Sequence, residues 1–175
     1  MINNKLIDPK SIVVVGGSND TSKPGGMVLK NILDFGYKGD LYVVNPKLSE
    51  VQGIKSYSTV EELPNCDCAI IAIAAKYCHH AIEVLTKEKE TRGFIILSAG
   101  FSEEREEGKK METEIVNTIN EVGGSLIGPN CVGFMNVNYP GVFIAPVPTL
   151  SPDGADFISG SGATALFVME TGIAH

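Results

Sequence analysis

The sequence predicts an α/β protein: a doubly wound, Rossmann-like parallel sheet, followed by the opening βα unit of a second α/β domain. Three observations carry that prediction. Five short runs are almost wholly apolar, the pattern of strands covered on both faces rather than one. Segments with apolar residues at helical spacing lie between them, as crossovers of a parallel sheet require. The residues after each run are small, and glycine is enriched, at 19 of 175 residues.

The elements follow in order. Ser11–Val15 reads as a buried strand and leads into a Gly-rich loop. Val28, Leu29, Ile32, Leu33 and Phe35 give residues 26–35 helical spacing. Leu41–Val44 is a second strand, and Thr59–Leu63 is a short helix stopped by Pro64. Cys68–Ile73 is a third strand, followed by a helix over 77–89 with Ala81, Val84 and Leu85 on its apolar side. Phe94–Leu97 is a fourth strand. Ser102 is the predicted N-cap of the next helix, with Glu103 and Glu104 in its first turn. Met111, Ile115, Ile119 and Val122 form its buried stripe, and Gly123–Gly124 stop it. Ser125–Ile127 is the fifth strand.

The first domain is expected to span residues 1–146. Residues 147–175 are expected to hold a linker and the start of the second domain, which the chain cuts short. Ala145–Pro152 contains three of the nine prolines and reads as the linking segment. Ala155–Ile158 is predicted to begin a new strand, and Leu166, Met169 and Ile173 mark a helix. A C-terminal helix packed back on the first domain is the alternative.

Composition narrows the function. Fourteen basic against 21 acidic residues give a net charge of −7 and no basic cluster, which argues against general nucleic-acid binding. No apolar run reaches the length of a membrane span, and the N-terminus has no signal-peptide core, so the expected compartment is the cytoplasm. The four cysteines, Cys66, Cys68, Cys78 and Cys131, are then expected to be reduced thiols. Cys66-x-Cys68 lacks a second Cys/His pair at ligand spacing, so no metal site is predicted.

Ligands of open parallel sheets bind beyond the carboxyl ends of the strands. Those ends here are Gly16–Gly26, Asn45–Lys47, Ala74–Lys76, Ser98–Phe101 and Gly128–Gly133. Lys23, Lys47 and Lys76 place three lysines on one rim of an acidic protein, which favours a phosphorylated ligand. The first loop is not the G-x-G-x-x-G fingerprint, because eight residues separate Gly17 from Gly26. No acidic residue closes the second strand to hold a ribose 2′-hydroxyl. Asn45-Pro46-Lys47 stands there, and a lysine suits a ribose phosphate, which weakens NAD and leaves NADP or coenzyme A. Walker A is absent, so ATP hydrolysis by this chain alone is not expected.

Val15–Asp20, Val44–Lys47, Leu97–Ser102 and Ile127–Gly133 together resemble the CoA-binding domain of NDP-forming acyl-CoA synthetases. That group includes the ADP-forming acetate–CoA ligases and, more distantly, the succinyl-CoA synthetase α subunit. Phe157–Ala163 resembles the start of the family's flavodoxin-like second domain. The resemblance implies coenzyme A as cofactor. It also implies acyl phosphate and phosphohistidine chemistry outside this chain, an ATP-grasp domain or β subunit as partner, and an oligomer in the full-length protein. Carried over by position, the cofactor contacts would be Gly16, Gly17, Ser18, Asn19, Lys23, Pro46, Lys47, Ala74, Ala75, Lys76, Ser98, Ala99, Gly100, Asn130 and Cys131. Lys47 would pair with a CoA phosphate, Ser98–Gly100 would touch the cofactor through backbone, and Asn130-Cys131 would sit near its thiol. Ser161 and Gly162 would help hold phosphate or the phosphohistidine. The chain departs from the family's pattern at Ile73-Ala74, where Val-Pro is common, and at Gly160, where a bulkier residue is usual.

No catalytic residue is expected in this chain, which by itself should bind CoA without turnover. His79 and His80 read as solvated or capping residues, and His175 carries no information. Cys131 reads as a packing residue, since no base is placed to activate it. Glu103–Glu107 read as a solvated helix start, and Tyr77 and Phe101 as packing residues or adenine-stacking rings. Two other classes stay open: an NADP-binding oxidoreductase domain, and a CoA-responsive module of a fused acyltransferase.

Overall fold

The computed structural model describes residues 2–104 and 106–173; His175 and Arg105 of the acidic run lie outside the described residues. The chain runs α1 (Asn4–Ile7), β1 (Ser11–Val15), α2 (Pro24–Phe35), β2 (Asp40–Val44), β3 (Glu50–Val51), β4 (Ile54–Tyr57) and β5 (Cys68–Ile71). It continues through α3 (Ala75–Glu88), β6 (Gly93–Ile96), α4 (Glu106–Glu121), β7 (Ser125–Ile127), β8 (Gly133–Met135), β9 (Pro140–Val142) and α5 (Gly162–Ile173). A single 3-10 turn at Val60–Glu62 stands where the short helix was predicted.

Seven strands form one sheet in the order β3-β4-β2-β1-β5-β6-β7, parallel except for β3. β1 is central: Val13 lies opposite Tyr42 on one side and Ala69 on the other. Alternate side chains of β1, β5 and β6 enter two separate cores, which is why these strands are apolar beyond Ser11 and Gly93 at their starts. Val13, Val15, Ala69, Ile71, Phe94 and Ile96 join Ala81, Ile82, Leu85, Ile115 and Ile119 of α3 and α4. Ile12, Val14, Cys68, Ile70 and Ile95 join Leu6, Val28, Leu29, Ile32 and Tyr139 on the other face. Cys66 and Cys68 therefore part company. Cys66 lies against Thr91 at 3.2 Å in the first core, and Cys68 against the Tyr139 hydroxyl at 3.9 Å in the second.

Two small hairpins escaped the sequence reading. β3 and β4 are joined by Gln52 and Gly53, at φ 49° and 81°, the positive values that a two-residue hairpin loop favours. β8 and β9 form a separate antiparallel pair that packs on α2, where the buried Asn31 amide donates to the carbonyls of Val142 (2.8 Å) and Ile144 (2.9 Å). Tyr139, fully buried, donates its hydroxyl to the Leu6 carbonyl at 2.7 Å.

Two predicted features are corrected. Ala155–Ile158 forms no strand; no neighbouring strand offers it a ladder, and Ile158 is 89% exposed. Ser102 is not a helix cap. It lies in a turn that precedes α4, because the Glu103 carboxylate folds back to accept from the N–H groups of Gly100 (2.7 Å) and Phe101 (3.1 Å).

The amino ends of the strands are tied by Asp67. Its carboxylate accepts from the Lys5 ammonium (2.6 Å) and the Lys10 backbone N–H (2.8 Å), and its own N–H donates to Ser11 Oγ (2.9 Å). Burial pushes the Asp67 carboxyl up, but the bonds from Lys5 and Lys10 outweigh it and hold the group below its ordinary 3.8. A lowered folded value means stability that is complete above the unfolded value and is lost as pH falls through the folded one. Urea unfolding at a series of pH values is expected to show stability falling below the ordinary aspartate value. Asp67→Asn should flatten that acid limb, and an unchanged limb would show that Asp67 contributes nothing to it.

Candidate cofactor site

The strand order puts β2 and β5 on opposite sides of β1, so the chain leaves the two flanks in opposite directions. This topological switch opens a crevice beyond the ends of β1 and β5. Backbones meet closely there. Gly16, at φ 90°, would place a Cβ 2.4 Å from the Ala72 carbonyl oxygen. Cβ atoms on Gly25 and Gly26 would lie 2.1 Å from the Gly16 oxygen and 2.0 Å from the Asp20 oxygen. The glycines of the first loop thus let it wrap the start of α2, rather than forming a dinucleotide fingerprint.

The loop is held from the β2 side. Asn45 donates its amide to the Gly17 carbonyl (2.8 Å) and accepts from the Lys47 N–H (2.9 Å). Pro46 and Lys47 are thereby presented, exposed, beside the first loop. Among the described residues the Lys47 ammonium forms no ion pair, whereas Lys23 leans on Asp20 at 3.5 Å. Lys76 lies over the Tyr77 ring, 4.8 Å from its centre, and Tyr77 is 56% exposed. Phe101 is fully buried, so it serves the core and offers no face to a base.

The remaining ends are linked in series. Ser98 Oγ donates to the Ile73 carbonyl at 2.5 Å, and the Ser98 carbonyl accepts from the Asn130 N–H at 2.9 Å. Asn130 adopts a positive φ of 52°. Cys131 Sγ donates to the Ile96 carbonyl at 3.3 Å. Burial pushes the Cys131 thiol up to about 11, so it is a protonated packing group at neutral pH. Ala74 and Ala75 begin α3, and Gly100 abuts them: a Cβ on it would sit 3.2 Å from the Ala75 methyl.

The fold therefore gathers Gly16–Asn19, Pro46–Lys47, Ala74–Lys76, Ser98–Gly100 and Asn130–Cys131 on one rim of the sheet. The Gly100 N–H donates to the Glu103 carboxylate at 2.7 Å, a charge-assisted bond that closes the turn after β6. Ser161 and Gly162 stand at the start of α5; a Cβ on Gly162 would lie 2.6 Å from Val132, so they adjoin the loop after β7. A groove of about 680 Å³ lies elsewhere, between α2, the β8–β9 hairpin and residues 145–150, and meets the first loop only at Thr21. His80 Nε2 lies 3.0 Å from a Glu61 carboxylate oxygen on the exposed side of α3.

Sequence reasoning missed Gln52. Its N–H donates to Asn19 Oδ1 (2.7 Å), and its side-chain amide donates to the carbonyls of Ser18 (2.7 Å) and Gly26 (2.8 Å). The available signal was Gln-Gly between two short β-type runs, a weaker hairpin mark than Asn-Gly.

Comparison with known proteins fits this geometry. Residues 10–137 match the family described as the CoA binding domain. The chain is 41% identical over 162 residues to the alpha subunit of ADP-forming acetate–CoA ligase II of Pyrococcus furiosus, covering 90% of this chain and 34% of that subunit. It is 37% identical over 169 residues to ADP-forming acetate–CoA ligase I of Archaeoglobus fulgidus, covering 95% of this chain and 24% of the relative. The chain thus spans about a quarter to a third of the length of these relatives. A crystal structure from Pyrococcus horikoshii superposes with a TM-score of 0.86 at 38% identity, over 99% of this chain and 39% of that one. An acetyl-coenzyme A synthetase of Candidatus Korarchaeum cryptofilum, solved with phosphate and ADP, gives 0.80 at 28% identity, over 98% and 36%. On the strand-end loops, the sheet that gathers them and these matches, the chain belongs to the CoA-binding domain family.

Proposed function

We propose that this chain is the CoA-binding portion of an ADP-forming acyl-CoA ligase. The overall reaction joins an acid to CoA at the expense of ATP, with acyl phosphate and a phosphohistidine supplied outside this chain. The ligase names of its relatives support the reading. The observation that carries it is the rim itself, where Lys47, without an ion pair among the described residues, stands where a dinucleotide domain would place an acid.

The residues divide the work. Lys47 and Lys76 supply positive charge to the ligand's phosphates. The Ile73–Ser98–Asn130 chain of hydrogen bonds fixes the ends of β5, β6 and β7 relative to one another. Cys131 fills space beside Gly128 and takes no covalent part. Residues 147–175 are the linker and start of the second domain, with Ser161 and Gly162 on its phosphate side. The ATP-grasp unit is the partner that completes the ligase, and the whole protein works as an oligomer in the cytoplasm.

Calorimetry with CoA and with NAD⁺ tests the reading: CoA should bind, and binding of NAD⁺ alone would sink it. Lys47→Ala is expected to weaken CoA by about 1–3 kcal/mol, the worth of a charge-assisted contact, and dephospho-CoA by less. Equal losses would move Lys47 from the 3′-phosphate to the pyrophosphate.

A further inference from the structure

Gln52 occupies an expensive conformation for what it is. At φ 49° it sits in the left-handed region, where Gly or Asn is the ordinary choice for the first loop residue of such a hairpin. Asn would relieve the backbone, but its amide is one methylene shorter. The Gln52 amide spans two carbonyls at once, those of Ser18 and Gly26, while its N–H takes the Asn19 side chain. Two hydrogen bonds thus run from one hairpin tip to the loop after β1, and a third runs to the first turn of α2.

Their effect follows from peptide geometry. In a trans peptide the C=O and the next N–H point in opposite directions. Asn45 holds the Gly17 carbonyl, so the Ser18 N–H points away from β2. Gln52 holds the Ser18 carbonyl, so the Asn19 N–H points away from the β3–β4 hairpin. Both strands lie on the flank of β1 opposite β5, and the two N–H groups are turned from that flank. Among the described residues neither N–H donates to a protein acceptor. Two successive outward N–H groups form a small anion-binding concavity.

We propose that Gln52 is a positioning residue for CoA, which fixes the first loop so that the N–H groups of Ser18 and Asn19 receive a ligand phosphate. The proposal rests on the CoA-binding reading above. It adds an edge hairpin to the cofactor site, although the hairpin itself does not touch the ligand.

Titration of ¹⁵N-labelled chain with CoA tests it. The Ser18 and Asn19 amide protons should move strongly downfield. Q52M keeps the length of the side chain but has no donor, and Q52E replaces the donor by a carboxylate. Both are expected to weaken CoA about tenfold, the loss of roughly one charge-assisted hydrogen bond. At saturating CoA, Q52M should lose the shifts at Ser18 and Asn19 while those at Asn130 persist. Wild-type binding with still Ser18 and Asn19 amides overturns the proposal even if neither variant folds. So does Q52M binding at wild-type affinity, or a uniform loss of all shifts, which marks general loosening only. Absence of CoA binding by the wild type would instead overturn the reading beneath it.

Discussion

Gly16→Ala is expected to destabilise the protein by about 2–5 kcal/mol, combining the left-handed penalty of a non-glycine residue with overpacking. The new methyl would lie 2.4 Å from the Ala72 oxygen and 2.8 Å from Ile73 Cγ2, with backbone fixed on both sides. Relief requires the ends of β1 and β5 to part. Those ends bound the crevice, so CoA affinity should fall in the variants that still fold. Urea unfolding and calorimetry read the two effects separately. A loss of stability under about 1 kcal/mol would show that the two strand ends separate at little cost.

Tyr139→Ala should cost about 3–5 kcal/mol, the range for truncating a large buried aromatic side chain. The ring is fully buried, lies tilted against Phe134 with the ring centres 5.7 Å apart, and belongs to the core beneath α2. Tyr139→Phe keeps the ring and removes only the donor to Leu6, so about 1–2 kcal/mol is expected. Denaturant unfolding of both variants tests the split. Equal losses would mean that the hydroxyl, and not the packing, holds the hairpin in place.

Legibility in the sequence followed burial. β1, β5 and β6 contribute to both cores, so apart from Ser11 and Gly93 at their starts their residues are apolar and the runs stand out. β3 and β4 form an edge where Glu50 and Lys55 face water, and their two and four residues carry too little pattern to register. Ala155–Ile158 misled for the opposite reason: apolar residues alone do not make a strand when no ladder is within reach. The rim residues were legible because strand ends follow from strand positions. Gln52 was not, because its role depends on contacts 26 to 34 residues away, which no local pattern encodes. Glu103 was read as a solvated helix start, yet its side chain turns backward to close the loop before the helix.

The clasp between Tyr139 and Leu6 joins residues 133 apart, and the Ile7 carbonyl accepts from Asn136 and Asn138 over similar distances. Joining such remote segments carries a large loop-closure entropy until the intervening sheet has drawn them together. The clasp is therefore expected to form on the late side of the folding barrier, with little of it made at the top. Interactions of that kind act on the rate of unfolding and leave the rate of folding nearly untouched. Tyr139→Phe is thus expected to quicken unfolding and leave the folding rate nearly unchanged, which stopped-flow kinetics in denaturant would read.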